Sequence, residues 1–224
     1  MNKIIITIIT LLIFSTSLFC QEDENKKVSS MDFFIGIRNT TLDMLPYTFR
    51  GILTGTIIDN RIAKIPSDYI VEGKKLYTEI TYNKSGEIII KVRNLNKDGA
   101  DFYEDLFSQY SRFFSLGPLV SGYTDDDIRN KYEAKTVSQN KTNIVLSVNV
   151  KSAENKYILY IDKNDYIPVK VESENFQDDY IINVDYQNVT LTDKKYRIPS
   201  YFEVIYKMDD VTNHFEINDI KIDQ

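Results

Sequence analysis

Few side chains in this 224-residue sequence are suited to chemistry, and they are widely scattered. His214 is the single histidine and stands in a strand-like stretch, with neither HExxH nor a spaced second histidine to build a zinc site. Hydrolysis needs a nucleophile beside a base or two carboxyls across a cleft, and redox or phosphoryl chemistry needs a nucleotide loop. No GxSxG, GxGxxG or P-loop pattern occurs. Asp125-Asp126-Asp127 offers three carboxylates, but they lack the alternating ligands and glycine of a calcium loop; following Thr124 they read as the acidic first turn of a helix. Asp178-Asp179 and Asp209-Asp210 read as turn residues. The expectation is therefore a protein without catalytic residues, metal site or cofactor, and not an enzyme.

The remaining reactive group is Cys20, the only cysteine, in "STSLFCQEDENKK" from Ser15 to Lys27. Before it, Lys3 leads into an apolar run from Ile4 to Phe14, shorter than the roughly 20 residues that a spanning helix needs. Residues 1–20 accordingly read as a secretory signal peptide, 21–28 as a short polar leader, and 29–224 as one domain. Cleavage after Cys20 puts Leu18 at −3 and predicts a free periplasmic protein. Lipidation of Cys20 is the alternative, a membrane-anchored lipoprotein, although Phe19 is bulky for a lipobox. An exported chain without further cysteines folds without disulfides, so its core rests on apolar residues, including much of its 16 Tyr and 12 Phe. With Lys and Arg (27) interleaved among Asp and Glu (33), no basic stripe exists for nucleic acid.

Helical spacing of Phe33, Phe34, Ile37, Leu42 and Leu45 predicts a helix over 29–45, stopped by Pro46. "FRGILTGTII", 49–58, reads as a strand whose glycines mark twist or close approach. "KLYTEITY" and "EIIIKVR" form a hairpin across Asn83-Lys84-Ser85-Gly86. A second helix, "DFYEDLFSQYSRFF" (101–114), carries an aromatic stripe and ends at Gly117-Pro118, and a third runs from Thr124 to about Tyr132. From Val137 alternating strands follow one another to Ile222, with a bulge expected at Asn218-Asp219 where the apolar parity shifts. About nine to eleven antiparallel strands with amphipathic helices make an α+β fold: a strongly curved sheet, an incomplete β-barrel, with helices packed in or across its concave face. Its oily interior reads either as a ligand cavity or as plain core.

"YILYIDKNDYIPVKVESE" (157–174) resembles the outer-membrane lipoprotein carrier (LolA) and lipoprotein-sorting superfamily, in which a strand ending in Asp, a short turn, a hydrophobic-Pro pair and a second strand recur. "YIINVDYQNV", Ile198-Pro199 with Phe202, "FEINDIKID" and, more loosely, "PSDYIVEGKKLYTEITYNKSGEIIIKV" extend the similarity. The resemblance implies a half-barrel binding lipid or lipoprotein acyl chains. Arg50, Arg61 and Arg93 do not reproduce the arginine-plus-aromatic strand of the true carriers, so envelope lipid binding is implied more than lipoprotein shuttling. On this resemblance the cavity lining is Phe49, Leu53, Leu76, Ile80, Leu146, Val148, Leu159, Ile161, Val169, Val171, Ile182, Val184, Phe202 and Val204. The lid is Phe102, Leu106, Tyr110 and Phe113, with Phe33 and Ile37 beside it. The implied function is a monomeric, chaperone-like carrier of acyl chains. The alternative is a non-enzymatic envelope scaffold with a filled core, meeting a protein partner through strand tyrosines such as Tyr160, Tyr166 and Tyr201.

Overall fold

A computed structural model describes residues 28–63, 75–82, 88–93, 99, 101, 111–120, 122–174, 179–208 and 210–222. The expected signal peptide, Cys20, most of the leader, and the lid residues Phe102, Leu106 and Tyr110 lie outside the described residues.

The expected first helix is α1, Ser30–Met44. Ser29 caps it, its Oγ accepting from the Asp32 amide, and Leu45 ends it in extended backbone ahead of Pro46. Phe34, Ile37, Arg38 and Thr41 recur at three- and four-residue intervals and form its buried stripe. This stripe lies against the inner face of a ten-stranded antiparallel sheet. The strands are β1 (Thr48–Thr54), β2 (Leu76–Tyr82), β3 (Ile88–Val92), β4 (Tyr132–Gln139), β5 (Asn143–Val150), β6 (Lys156–Asp162), β7 (Pro168–Glu174), β8 (Tyr180–Leu191), β9 (Lys194–Tyr206) and β10 (Val211–Ile222). Their spatial order is β3-β2-β1-β10-β9-β8-β7-β6-β5-β4. The chain thus forms two meanders, sewn together where β10 returns to pair with β1. Among the described residues β3 and β4 remain the edges, so the sheet is an incomplete barrel, as expected.

Three shorter helices complete the described fold: α2 (Thr56–Ile62), α3 (Ser111–Phe114) and α4 (Asp125–Lys131). The α2 helix corrects the strand expected to reach residue 58. Gly55 has φ +118, a conformation that ends β1 and starts the helix, and a Cβ there would stand 2.5 Å from the His214 carbonyl oxygen. Ile57 and Ile58 are buried all the same, from a helix packed on β10 and β1. Gly51 shows the other expected role of glycine, close approach. A Cβ on it would meet Ile217 Cγ2 at 2.4 Å. Beside it the β1–β10 register slips, Arg50 facing Lys221 and Ile52 facing Asn218, and Asp219 takes φ +53. That is the predicted bulge.

Thr124 and Asp127 form the reciprocal capping box that fixes α4, confirming Asp125-Asp126-Asp127 as a first helical turn. The chain then enters β4 at once, five residues before the expected start at Val137. Edge strand β4 is mostly solvent-facing and carries no apolar alternation to announce it.

Candidate functional site

Cross-strand register gathers most of the predicted lining residues into rows. Val204, Ile182, Val171, Leu159 and Leu146 stand opposite one another across five consecutive strands, and each is fully buried. Phe215, Phe202 and Val184 make a second row, while Leu53 faces Leu76 and Phe49 faces Ile80 across β1 and β2. Val148 and Ile161 are also fully buried. Thirteen of the fourteen predicted residues therefore belong to one continuous apolar core. Val169 does not. The β6–β7 register passes from Tyr160 opposite Lys170 to Ile161 opposite Pro168, leaving Val169 as the extra, half-buried residue of a bulge.

Helices fill the concave side. Phe113, the one described member of the predicted lid, is fully buried and meets Tyr180 edge-on with ring centroids 5.4 Å apart. Phe114 packs on Phe202 at 4.9 Å and Phe215 at 5.2 Å, and those two rings stack at 4.5 Å. The last turn of the expected aromatic helix thus plugs the half-barrel. Ile37 is buried in α1, and Phe33 is half-buried against Tyr166. Of the tyrosines predicted on strands, Tyr166 instead lies in the β6–β7 turn at φ 55 and is exposed, whereas Tyr160 and Tyr201 are on strands and half-buried, under Lys170 and against His214 respectively.

A site not foreseen from sequence lies where the interior meets the surface. A cavity of about 730 Å³ is lined by Asn39, Leu42, Asp43, Leu45, Pro46, Tyr47, Tyr82, Lys194 and Tyr196. It brings together the C-terminal end of α1, the end of β2 and the start of β9. Its walls are mixed, Leu42, Leu45, Pro46 and the tyrosines alternating with Asn39, Asp43 and Lys194. Its rim carries Lys194, whose Nζ sits 4.9 Å from the Tyr196 ring centroid, and the exposed Tyr47. Tyr82 is one of its lining residues. Although the residue is only 5% exposed, its hydroxyl has no hydrogen-bond partner, and burial raises its pKa far above the ordinary phenol range. Its ring stacks on Phe49 at 6.0 Å, and so joins this mouth to the core rows. These residues are far apart in sequence, and no spacing rule links 42–47 with 82 and 194–196.

A smaller groove of about 330 Å³ runs between α1 and the β6–β7 turn, lined by Val28, Asp32, Phe33, Gly36, Ile37, Thr40, Asp165 and Tyr166. Among the described residues no three His, Cys, Asp or Glu side chains converge on a point where a metal ion would fit.

Fold and site together define an open half-barrel, plugged by helices, with an apolar interior and an aromatic mouth. The sequence matches no protein-family model and no curated protein. Among solved structures the chain is similar to an outer-membrane lipoprotein-sorting protein domain from Vibrio parahaemolyticus, at 10% identity over 86% of this chain and 91% of that one, with a TM-score of 0.48. It is similar also to a LolA superfamily protein from Nitrosomonas europaea, at 10% identity over 88% and 94% of the two chains, TM-score 0.47. A DUF1329 family protein from Desulfovibrio piger stands at 9% identity over 87% and 92%, TM-score 0.46. At such identities these are likenesses of architecture.

Proposed function

We propose that this protein is a non-enzymatic envelope carrier that holds the acyl chains of a lipid or lipoprotein, admitted at the Tyr47, Tyr82 and Tyr196 mouth. The observation that supports it best is the cavity at the edge of the continuous apolar core, where Leu42, Leu45 and Pro46 meet the Tyr47, Tyr82 and Tyr196 side chains and Lys194 stands at the rim. The Tyr82 hydroxyl is enclosed and unpartnered, so a bound ester or carboxyl oxygen gains a donor there only if the side chains around it shift. Leu42, Leu45 and Pro46 offer the chain an apolar wall, and each buried methylene contributes about 0.8 kcal/mol. Lys194 suits an anionic headgroup at the rim.

The core rows behind Phe49 are filled by side chains, so a long chain reaches them only if the α3 plug moves. A second reading follows from that filled core: a scaffold that binds a protein partner through its surface. The two are separated by native against denaturing mass spectrometry of the protein purified gently from the cells that export it. Extra mass of lipid size, lost on denaturation and reduced by Leu45→Glu, supports the carrier. A bare native mass that stays bare after lipid is added back, with the fold intact, removes it in favour of the scaffold. The denatured mass also reads whether Cys20 carries acyl groups or has been removed.

A further inference from the structure

The mouth between α1, β2 and β9 has an acid on its α1 wall and a base on its β9 wall. The acid is Asp43, in the last turn of α1, where the helix carries no basic residue. The C-terminus of a helix bears partial negative charge, so cations are favoured in its last turn and a carboxylate there is locally unfavourable. Asp43 is exposed, and among the described residues it has no hydrogen bond or ion pair to offset that cost. A local rule broken without a compensating contact is where a functional constraint is expected.

The base is Lys194, the first residue of β9. Its Nζ rests over the Tyr196 ring, and among the described residues it has no ion pair. The two charges line one cavity of about 730 Å³ and do not pair with each other. Tyr47, 63% exposed, and the half-buried Tyr196 lie on the same lining. Their ring faces attract ammonium groups as well as apolar chains.

We propose that this mouth selects a zwitterionic phospholipid headgroup, a phosphate joined to an ammonium. Asp43 and the C-terminal end of α1 meet the ammonium, and Lys194 meets the phosphate. The inference rests on the carrier reading and deepens it, with Leu42, Leu45 and Pro46 of the same lining meeting the first methylenes of the chains. A purely anionic head gains from Lys194 but stands against the carboxylate of Asp43, and a cationic amphiphile meets the reverse. Only a head with both signs satisfies both walls, so selection comes from a repulsive contact as well as an attractive one. A primary ammonium donates hydrogen bonds to the carboxylate, and a quaternary one is held by charge and by the ring faces. The shared chemistry is the phosphate–ammonium pair, and ethanolamine and choline lipids are its two sources.

The test is calorimetric titration of the exported protein with soluble phospholipids of one chain length: dihexanoyl phosphatidylethanolamine, phosphatidylcholine and phosphatidylglycerol. At least one zwitterionic lipid is expected to bind at least tenfold more tightly than phosphatidylglycerol, and which one it is identifies the source. Asp43→Asn is expected to abolish that preference while binding phosphatidylglycerol at least as well as the parent does. Lys194→Gln is expected to weaken all three. Because Asp43→Asn relieves an unfavourable helix end, it is expected to melt no lower than the parent, which separates lost selectivity from lost fold. Equal affinity of the parent for zwitterionic and anionic lipids overturns the headgroup assignment and leaves the carrier standing. So does an unchanged preference in Asp43→Asn, or Lys194→Gln binding like the parent. A lower melting temperature for Asp43→Asn also overturns it, by giving Asp43 a structural role. Binding of none of the three lipids by the folded parent is instead the failure of the carrier reading, and the headgroup site falls with it.

Discussion

The buried guanidinium of Arg38 donates from Nη2 to the carbonyl oxygen of Tyr123 at 2.6 Å, tying the middle of α1 to the segment that leads into α4. Arg38 is 5% exposed, and Asp125, 3.8 Å from its Nη1, is a half-exposed counterion. Burial pulls the arginine pKa below its usual value while Asp125 acts the other way. Arg38→Met removes the charged donor to the Tyr123 carbonyl oxygen, and loss of a hydrogen bond to a charged group costs about 1.5–3 kcal/mol. Asp125→Asn removes only a screened, long contact, and less than about 1 kcal/mol is expected. Urea unfolding midpoints check the ranking; equal losses in the two variants would show that the anchor is the ion pair and not the Tyr123 carbonyl.

Tyr82 is a buried phenol and Tyr186 a half-buried one, and they are predicted to respond oppositely to loss of the hydroxyl. Tyr186 donates to the Pro168 carbonyl oxygen at 2.7 Å, so Tyr186→Phe is expected to cost about 1 kcal/mol. Tyr82 has no partner, and Tyr82→Phe is expected to be neutral or stabilising. Burial raises both pKa values, and it pushes Tyr132 up to about 12. Unfolded phenols ionise near pH 10, so the stability these groups confer is complete below about pH 10 and is lost as pH rises toward the folded values. Alkaline titration with phenolate absorbance and circular dichroism should show unfolding coupled to ionisation, with a shallower alkaline limb in Tyr82→Phe. An identical limb in that variant would exclude Tyr82 from the coupling.

Strand parity made the core legible in the sequence because two-residue periodicity and burial are the same fact for a sheet with one dry face. Leu146, Val148, Leu159 and Ile161 could be assigned from alternation alone, and Thr124 and the Asn218-Asp219 slip were readable as cap and bulge. Val169 was misplaced because "IPVKV" shows alternation with no mark of the extra residue. Strand β4 began unseen because an edge strand with wet faces has no apolar pattern. The Tyr47, Tyr82 and Lys194 mouth depends on how the end of α1 meets two strands, and tertiary placement of that kind leaves no local trace.

The bulge at Val169 makes a prediction within one hairpin. Leu159 is fully buried and faces Val171, so Leu159→Ala should cost about 2–5 kcal/mol. Val169→Ala, outside the core cluster, should cost less than about 1 kcal/mol, as for substitutions away from packed interiors. Denaturant unfolding of the two variants decides it. A large loss at Val169 would mean that its side chain turns into the core and that the register on β7 is wrong.

Acid should destabilise the fold through a small set of carboxylates. Asp32 is held below the ordinary range by the Ser29 hydroxyl and then by Arg129, and Asp127 by the hydroxyl and amide of Thr124. At Glu79 and Glu172 burial works the other way but is outweighed, by Arg93 and Arg50 in the first case and by Lys170, Tyr160 and Lys207 in the second. Each has a folded pKa below its unfolded one, so the unfolded chain takes up protons first as pH falls. Stability from these groups is therefore present above the unfolded carboxylate range, about pH 4, and is lost as pH drops through the folded values. Urea midpoints are expected to hold nearly level from neutrality to about pH 5 and then to fall. Glu79→Gln should flatten that fall while lowering the neutral-pH midpoint, since it gives up the charged pairing and keeps the shape. A Glu79→Gln protein that loses stability equally at neutral and acid pH would show that the Arg50 and Arg93 contacts act through packing alone and that their charge contributes nothing to the fold.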